Sequence, residues 1–75
     1  MTPESCRIKR NEFNAMARQA EKAGNPALAS WCRILSENHE LMSSDDPTKR
    51  ERGAKAYEKN IGRFEKFLAE QSKPS

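Results

Sequence analysis

Residues 26–42 read PALASWCRILSENHELM, and this stretch decides the fold. At about 100° per residue its apolar side chains cover about half of a helix circumference; they are Leu28, Trp31, Cys32, Ile34, Leu35, Leu41 and Met42. The other half carries small, polar and charged residues, namely Ala29, Arg33, Ser36, Glu37 and Glu40. A helix with so wide an apolar face usually packs against neighbours on two sides. We therefore expect another helix on each side of this one.

Capping residues and prolines mark where three helices begin. A side chain that can cap a helix is followed by proline at Thr2-Pro3, Asn25-Pro26 and Asp46-Pro47. Gly24 suits the left-handed residue that often ends a helix. The sequence therefore predicts helices over about residues 3–23, 26–42 and 47–71. Helix 1 carries a narrow stripe that includes Ala17 and Ala20, whose small size allows another helix to approach closely.

The composition favours an all-α fold. The chain has 75 residues, 33% of them charged, and no valine, so a β-sheet has little to be built from. Short connections make successive helices antiparallel, and we expect a small three-helix arrangement built on an antiparallel hairpin of helices 2 and 3. We predict one domain over residues 1–71 and a disordered tail over residues 72–75. Because so short a chain buries only about 60% of its unfolded surface, we also expect self-association.

Helix 3 carries the apolar residues that point to a protein interface. Its stripe consists of Ala54, Tyr57, Ile61, Phe64 and Leu68, with Phe67 beside it. Helix 3 is longer than helix 2, and pairing the two from residues 42 and 47 makes Phe64, Phe67 and Leu68 project past the start of helix 2. Aromatic side chains often anchor interfaces. We predict a protein interface formed by Trp31, Phe64, Phe67 and Leu68.

The polar side of helix 3 carries a row of cations. Residues 47–66 contain seven basic and three acidic residues, and the net charge of the chain is +3. Five of the cations align on one side of the helix: Arg52, Lys55, Lys59, Arg63 and Lys66. An acidic line of Glu51, Glu58 and Glu65 runs beside them and partly neutralises the row. The row is either an ordinary solvated helix face or, together with Arg7, Lys9 and Arg10, a nucleic-acid or acidic-partner binding surface.

The turn between helices 1 and 2 resembles the turn of a helix-turn-helix DNA-binding motif. The resemblance covers residues 20–25, where Ala20 and Gly24 have the spacing of that motif. Ser30 then stands where the motif has a buried Ile or Val. Glu37 and Glu40 lie on the outward side of helix 2, where they would repel phosphates. We therefore interpret this segment as an ordinary turn between two helices.

Other polar residues lack the patterns typical of a catalytic or metal site. Cys6 and Cys32 are far apart in sequence, and we expect both to be reduced and buried. Cys32 and His39 share a helix face, but zinc normally takes three or four protein ligands, so we expect His39 at a boundary, bonded to a carbonyl. Asn38 lies within the apolar arc and either fixes the register of a helix pair or reaches its edge. We expect no enzyme activity, cofactor, metal or small-molecule substrate.

These patterns favour a non-enzymatic helical regulator or adaptor that binds a protein partner or a second copy of itself. The alternative is a nucleic-acid-binding regulator that uses helix 3. Charges interrupt the N-terminal residues where a signal peptide needs an apolar run, and no stretch approaches the ~20 apolar residues of a membrane span. We therefore expect a cytoplasmic protein that does not bind membranes. Short accessory chains of this kind are common in phages and other mobile elements, a background expectation that rests on no particular residue.

Overall fold

The computed structural model describes residues 2–72 and forms three helices: α1 (Pro3–Lys22), α2 (Pro26–Met42) and α3 (Pro47–Gln71). These described residues contain no strand, so the all-α prediction is confirmed. The helices begin at the predicted residues, and α1 ends one residue earlier than predicted. Ser72, the first residue of the predicted tail, is the C-cap of α3, and residues 73–75 lie outside the described part of the chain.

The helix ends follow the capping signals of the sequence. The side-chain oxygens of Thr2, Asn25 and Asp46 accept hydrogen bonds from backbone N–H groups two or three residues later, at 3.1, 3.2 and 2.9 Å. Gly24 follows α1 with a φ of 74°, in the left-handed region. The N–H of Asn25 then donates to the carbonyl of Ala20 at 2.8 Å, which closes the helix end and turns the chain into α2.

α1 packs on one side of α2 through small residues. Ala17 and Ala20 of α1 and Ala29 of α2 are all buried, as the small-residue stripe of helix 1 predicts. Beside them the Ser36 hydroxyl donates to Asn14 Oδ1 at 2.7 Å. Ion pairs join Arg10 to Glu40 and Glu21 to Arg33. In these contacts residue numbers rise along α1 as they fall along α2, so the two helices run in opposite directions.

α3 packs on another side of α2 through large rings. The ring of Trp31 lies 6.3 Å from that of Phe64 and 6.5 Å from that of Phe67, measured between centroids. Asn60 Nδ2 donates to Asn38 Oδ1 at 3.1 Å. Within the described residues, the backbones of α1 and α3 are not in contact. They meet over α2 through side chains, where the rings of Phe13 and Phe64 are 6.2 Å apart.

The register of α2 and α3 differs from the prediction. Phe67 lies level with Trp31 and Asn60 level with Asn38, so the aromatic residues of α3 do not project past the start of α2. Instead the first turns of α3, where residues 47–52 are exposed, extend past the end of α2. The reason is that the connection of residues 43–46 lets α3 slide until its rings meet Trp31 and the two asparagines pair.

The buried side of α2 is also rotated from the predicted one. Ala29 and Ser36, predicted to face solvent, are buried under α1, whereas Ile34, predicted to be in the apolar arc, is 38% exposed. α1 approaches through alanines, and the small side chains of α2 allow the closest approach on that side. The polar shoulder of α2 is therefore covered by α1, and part of the apolar face of α2 stays exposed to solvent. The molecule is flattened, with extents of 44 × 22 × 15 Å.

Candidate protein-interaction surface

The structure separates the four predicted interface residues. Phe64 is 5% exposed and belongs to the core with Ala17, Cys32 and Leu35. Trp31 and Phe67 are half-buried and pack against that core. Leu68 is 37% exposed on α3. Phe64 is thus unavailable to a partner in this state, whereas the other three still present apolar surface.

An apolar surface lies where α2 and α3 pack side by side, and we call it the Ile34 face. Contacts between the two helices bound it at both ends, the Trp31–Phe67 contact at one end and the Asn38–Asn60 hydrogen bond at the other. Ile34 lies one turn after Trp31 and one turn before Asn38, so it occupies the centre. The face therefore consists of half-buried rings and an exposed aliphatic side chain held by two helices.

Charges of opposite sign flank the Ile34 face. Glu37 is exposed on α2, one turn after Ile34. Arg63 is exposed on α3, one turn after Asn60 and one turn before Phe67, and Lys59 is exposed beside it. Glu37, Lys59 and Arg63 make no ion pair with a described residue. The edge formed by α2 is therefore acidic and the edge formed by α3 is basic.

A smaller apolar patch lies between α1 and α3. Met16, 40% exposed, is one turn after Phe13, and Leu68 is one turn after Phe64. Because Phe13 and Phe64 contact each other, the patch of Met16 and Leu68 lies beyond that contact, toward the C-terminal ends of α1 and α3. It gives Leu68 a surface separate from the Ile34 face.

The predicted basic row is present on α3 and is exposed along its whole length. Lys55 pairs with Glu51 at 3.2 Å, an exposed contact that contributes little to stability. The other four cations make no ion pair with a residue in the described range 2–72; they are Arg52, Lys59, Arg63 and Lys66. Of the cations predicted to assist them from α1, Lys9 and Arg10 are paired with acids and Arg7 is exposed.

The side chain of His39 packs inside the core. His39 is fully buried, not at a boundary as predicted, and its Nδ1 donates to the carbonyl of Leu35 at 2.8 Å. Its ring packs between those of Phe13 and Tyr57, with centroid distances of 5.5 and 4.7 Å. Its Nε2 is buried and has no hydrogen-bond partner among the described residues. His39 therefore acts as a core ring whose tautomer is fixed by one carbonyl.

Both cysteines are free and buried, in agreement with the sequence prediction. Burial raises the pKa of the Cys32 thiol. A buried thiol that holds its proton is a poor nucleophile and a poor metal ligand. Cys32 is therefore part of the packing between α1, α2 and α3 rather than a reactive group.

Two residues that the sequence analysis did not single out position this surface. Asn60 holds Asn38 and so sets the register of α2 and α3. Gly53 is buried where α3 lies close against α2, since a Cβ atom there would lie 2.7 Å from Leu41 Cβ. A glycine inside a helical pattern is the sequence signal that points to such a close approach.

Neither a cluster of possible metal ligands nor a possible membrane-spanning helix is found in residues 2–72. No three His, Cys, Asp or Glu side chains in residues 2–72 are grouped as metal ligands would be. Within the same residues, no helix combines the length and the apolar character needed to cross a bilayer. Comparisons with protein-family models, with curated proteins and with solved structures find no match to this chain.

Proposed function

We propose that this chain is a non-enzymatic helical adaptor or regulator that acts by binding a partner protein or a second copy of itself through the Ile34 face. The observation that carries the proposal is the exposure of Ile34 between the Trp31–Phe67 ring contact and the Asn38–Asn60 hydrogen bond. α1 covers the small and polar shoulder of α2, and α3 covers the apolar side only in part, so that Ile34 stays 38% exposed. A partner that packs there removes this apolar surface from water.

The face has the composition of an interface core. Trp31 packs against both Phe64 and Phe67, and Phe67 packs against Trp31, so these rings lose little conformational freedom on binding. Rigid aromatic anchors beside an aliphatic side chain, with charges at the rim, are typical of the residues that dominate binding energy. Burying the exposed part of Ile34 adds about 1 kcal/mol, because full burial of such a side chain contributes about 1.5–3 kcal/mol.

Site-specific photo-crosslinking tests this proposal. The variant Ile34→p-benzoylphenylalanine is produced in the native cell, and the matched control carries the same residue at Gln19, which is exposed on α1. We expect a discrete covalent protein adduct from position 34 and none from position 19. The absence of an adduct at position 34, or equal labelling from both positions, would contradict the proposal.

Nucleic-acid binding by the basic row is a second candidate, favoured by the four row cations that lack an ion pair within residues 2–72. The row runs over the 15 residues from Arg52 to Lys66, about 21 Å of helix. Binding of this kind weakens steeply with salt because it releases counterions. The double variant Lys55→Glu with Lys59→Glu is expected to lose affinity for duplex DNA, whereas Arg18→Glu with Lys22→Glu, an equal change of charge on α1, retains it. Binding that is absent or insensitive to salt removes this candidate.

A further inference from the structure

We infer that the occupant of the Ile34 face is a second copy of this chain, bound about a two-fold axis that runs parallel to α2 and α3. The inference rests on the proposed function and names the partner. In this arrangement two Ile34 faces lie against each other, and α2 of one copy packs antiparallel on α3 of the other. The result is a four-helix core in the middle of a symmetric dimer.

The position of Ile34 favours such an axis. Ile34 lies on the side of α2 that faces α3, in the same strip as Trp31 and Leu41, both of which approach α3. It is therefore close to the line between the two helices. A two-fold axis along that line brings Ile34 of one copy against Ile34 of the other, so the most exposed apolar residue of the face becomes the centre of the interface.

Charge selects this axis over the other two-fold arrangement. Rotation about an axis parallel to the helices keeps each residue at its own level, so Glu37 of one copy lies over the part of α3 that carries Lys59 and Arg63 in the other. The symmetry forms this contact twice. An axis perpendicular to the helices instead stacks α3 on α3 and brings the two basic edges together, which is unfavourable.

The size of the face indicates a dimer of modest affinity. α2 is about 25 Å long, and two helices side by side are about 20 Å wide, so each copy contributes about 500 Å². The total of about 1,000 Å² is at the lower limit for a specific interface. We therefore expect a dissociation constant of about 1–100 µM, in the range of weak or transient association.

Sedimentation velocity of the full chain over this concentration range tests the inference. We expect a monomer–dimer equilibrium for the native chain. Ile34→Glu is expected to be monomeric throughout, because it places two carboxylates on the axis. Ile8→Glu is the matched control, since Ile8 is 53% exposed on α1 and outside the interface, and it is expected to dimerise like the native chain. A native chain that stays monomeric at about 500 µM, or an Ile8→Glu variant that dissociates as readily as Ile34→Glu, overturns the inference.

Charge reversal provides a test that does not depend on a core substitution. Glu37→Arg and Arg63→Glu are each expected to weaken dimerisation about tenfold or more, since each replaces two attractive contacts by repulsive ones. The double variant restores the pairing with its charges exchanged and is expected to return toward the native affinity. A double variant weaker than either single variant would show that these residues do not face each other and would overturn the proposed axis.

The two proposals fail in different ways. A chain that is monomeric in sedimentation and yet forms an adduct with a different protein from position 34 contradicts the dimer and supports the interaction surface. A chain that is monomeric and forms no adduct from position 34 contradicts both. An adduct from position 34 to a second copy supports both.

Discussion

A substitution at Gly53, where α3 lies close to α2, has two opposite effects on stability. It raises the helix propensity of α3 and it adds a methyl group to a site without room for it. Gly53→Ala adds a Cβ atom that would lie 2.7 Å from Leu41 Cβ, 2.8 Å from Asn38 O and 2.9 Å from Met42 N. Carbon contacts this short do not occur between relaxed neighbours, and two of the three atoms belong to the backbone. They cannot rotate away, so the two helices must separate by several tenths of an ångström.

Gly62→Ala provides a matched control in the same helix. A Cβ atom at Gly62 has no described atom within 4 Å, and the residue is exposed. Both substitutions gain about 1 kcal/mol of helix propensity, because alanine loses less backbone entropy than glycine. Overpacking costs about 1–3 kcal/mol at Gly53 alone. The free energy of unfolding should therefore rise by about 1 kcal/mol for Gly62→Ala and be unchanged or fall by up to about 2 kcal/mol for Gly53→Ala.

Urea and thermal denaturation followed by circular dichroism measure the difference. The helix-propensity gain is common to both variants, so the difference between their free energies of unfolding isolates the steric cost of about 1–3 kcal/mol. In a domain of this size each kcal/mol shifts the melting temperature by about 4–8 °C, and Gly53→Ala should melt at least about 4 °C below Gly62→Ala. Equal melting temperatures, or a more stable Gly53→Ala, would refute the proposed close packing of α2 and α3.

Three further predictions concern individual contacts. Asn25→Ala removes the N-cap of α2 and should lower the free energy of unfolding by about 1 kcal/mol in urea denaturation. A double-mutant cycle of Asn38→Ala and Asn60→Ala should give a coupling energy of about 0.5–1.5 kcal/mol; additive effects would show that the amides do not pair. Because burial raises the pKa of Cys32, the folded chain keeps a proton that the unfolded chain loses, so stability should fall as the pH rises above the ordinary thiol pKa. The same pH series on Cys32→Ala should lack this component, and identical slopes for both proteins would contradict it.

Helix ends were predictable from sequence because each depends on a few neighbouring residues. Thr2, Asn25 and Asp46 cap their helices through side-chain oxygens that reach only to the next turn, so no knowledge of the rest of the fold is needed. The alanines of α1 were likewise recognisable, since small residues at helical spacing indicate close packing whatever the partner. Local chemistry thus defined three helices and the packing side of one.

The register and the exposed face depend on contacts between distant residues, and the sequence pattern did not contain them. Counting back from the connection of residues 43–46 assumed that α3 folds directly onto the last turn of α2. The pairing of Asn38 with Asn60 and of Trp31 with Phe67 instead slides α3 along α2. A period of 3.6 residues shows which side chains share one face of a helix. It does not determine how far the neighbouring helix is shifted along that face.

The position of α1 on α2 determines which apolar surface of α2 stays exposed. An apolar arc of half a circumference offers two shoulders, and hydrophobicity alone favours covering the one with Ile34. α1 packs on the other because Ala29 and Ser36 allow a close backbone approach and because Ser36 bonds to Asn14. Glu37 then points away from α1 and flanks an uncovered apolar strip, opposite Arg63. In the proposed dimer this charge, which looks like ordinary helix surface in the sequence, becomes half of a complementary pair with Arg63 of the other copy, and it does so only in the register that Asn38 and Asn60 fix.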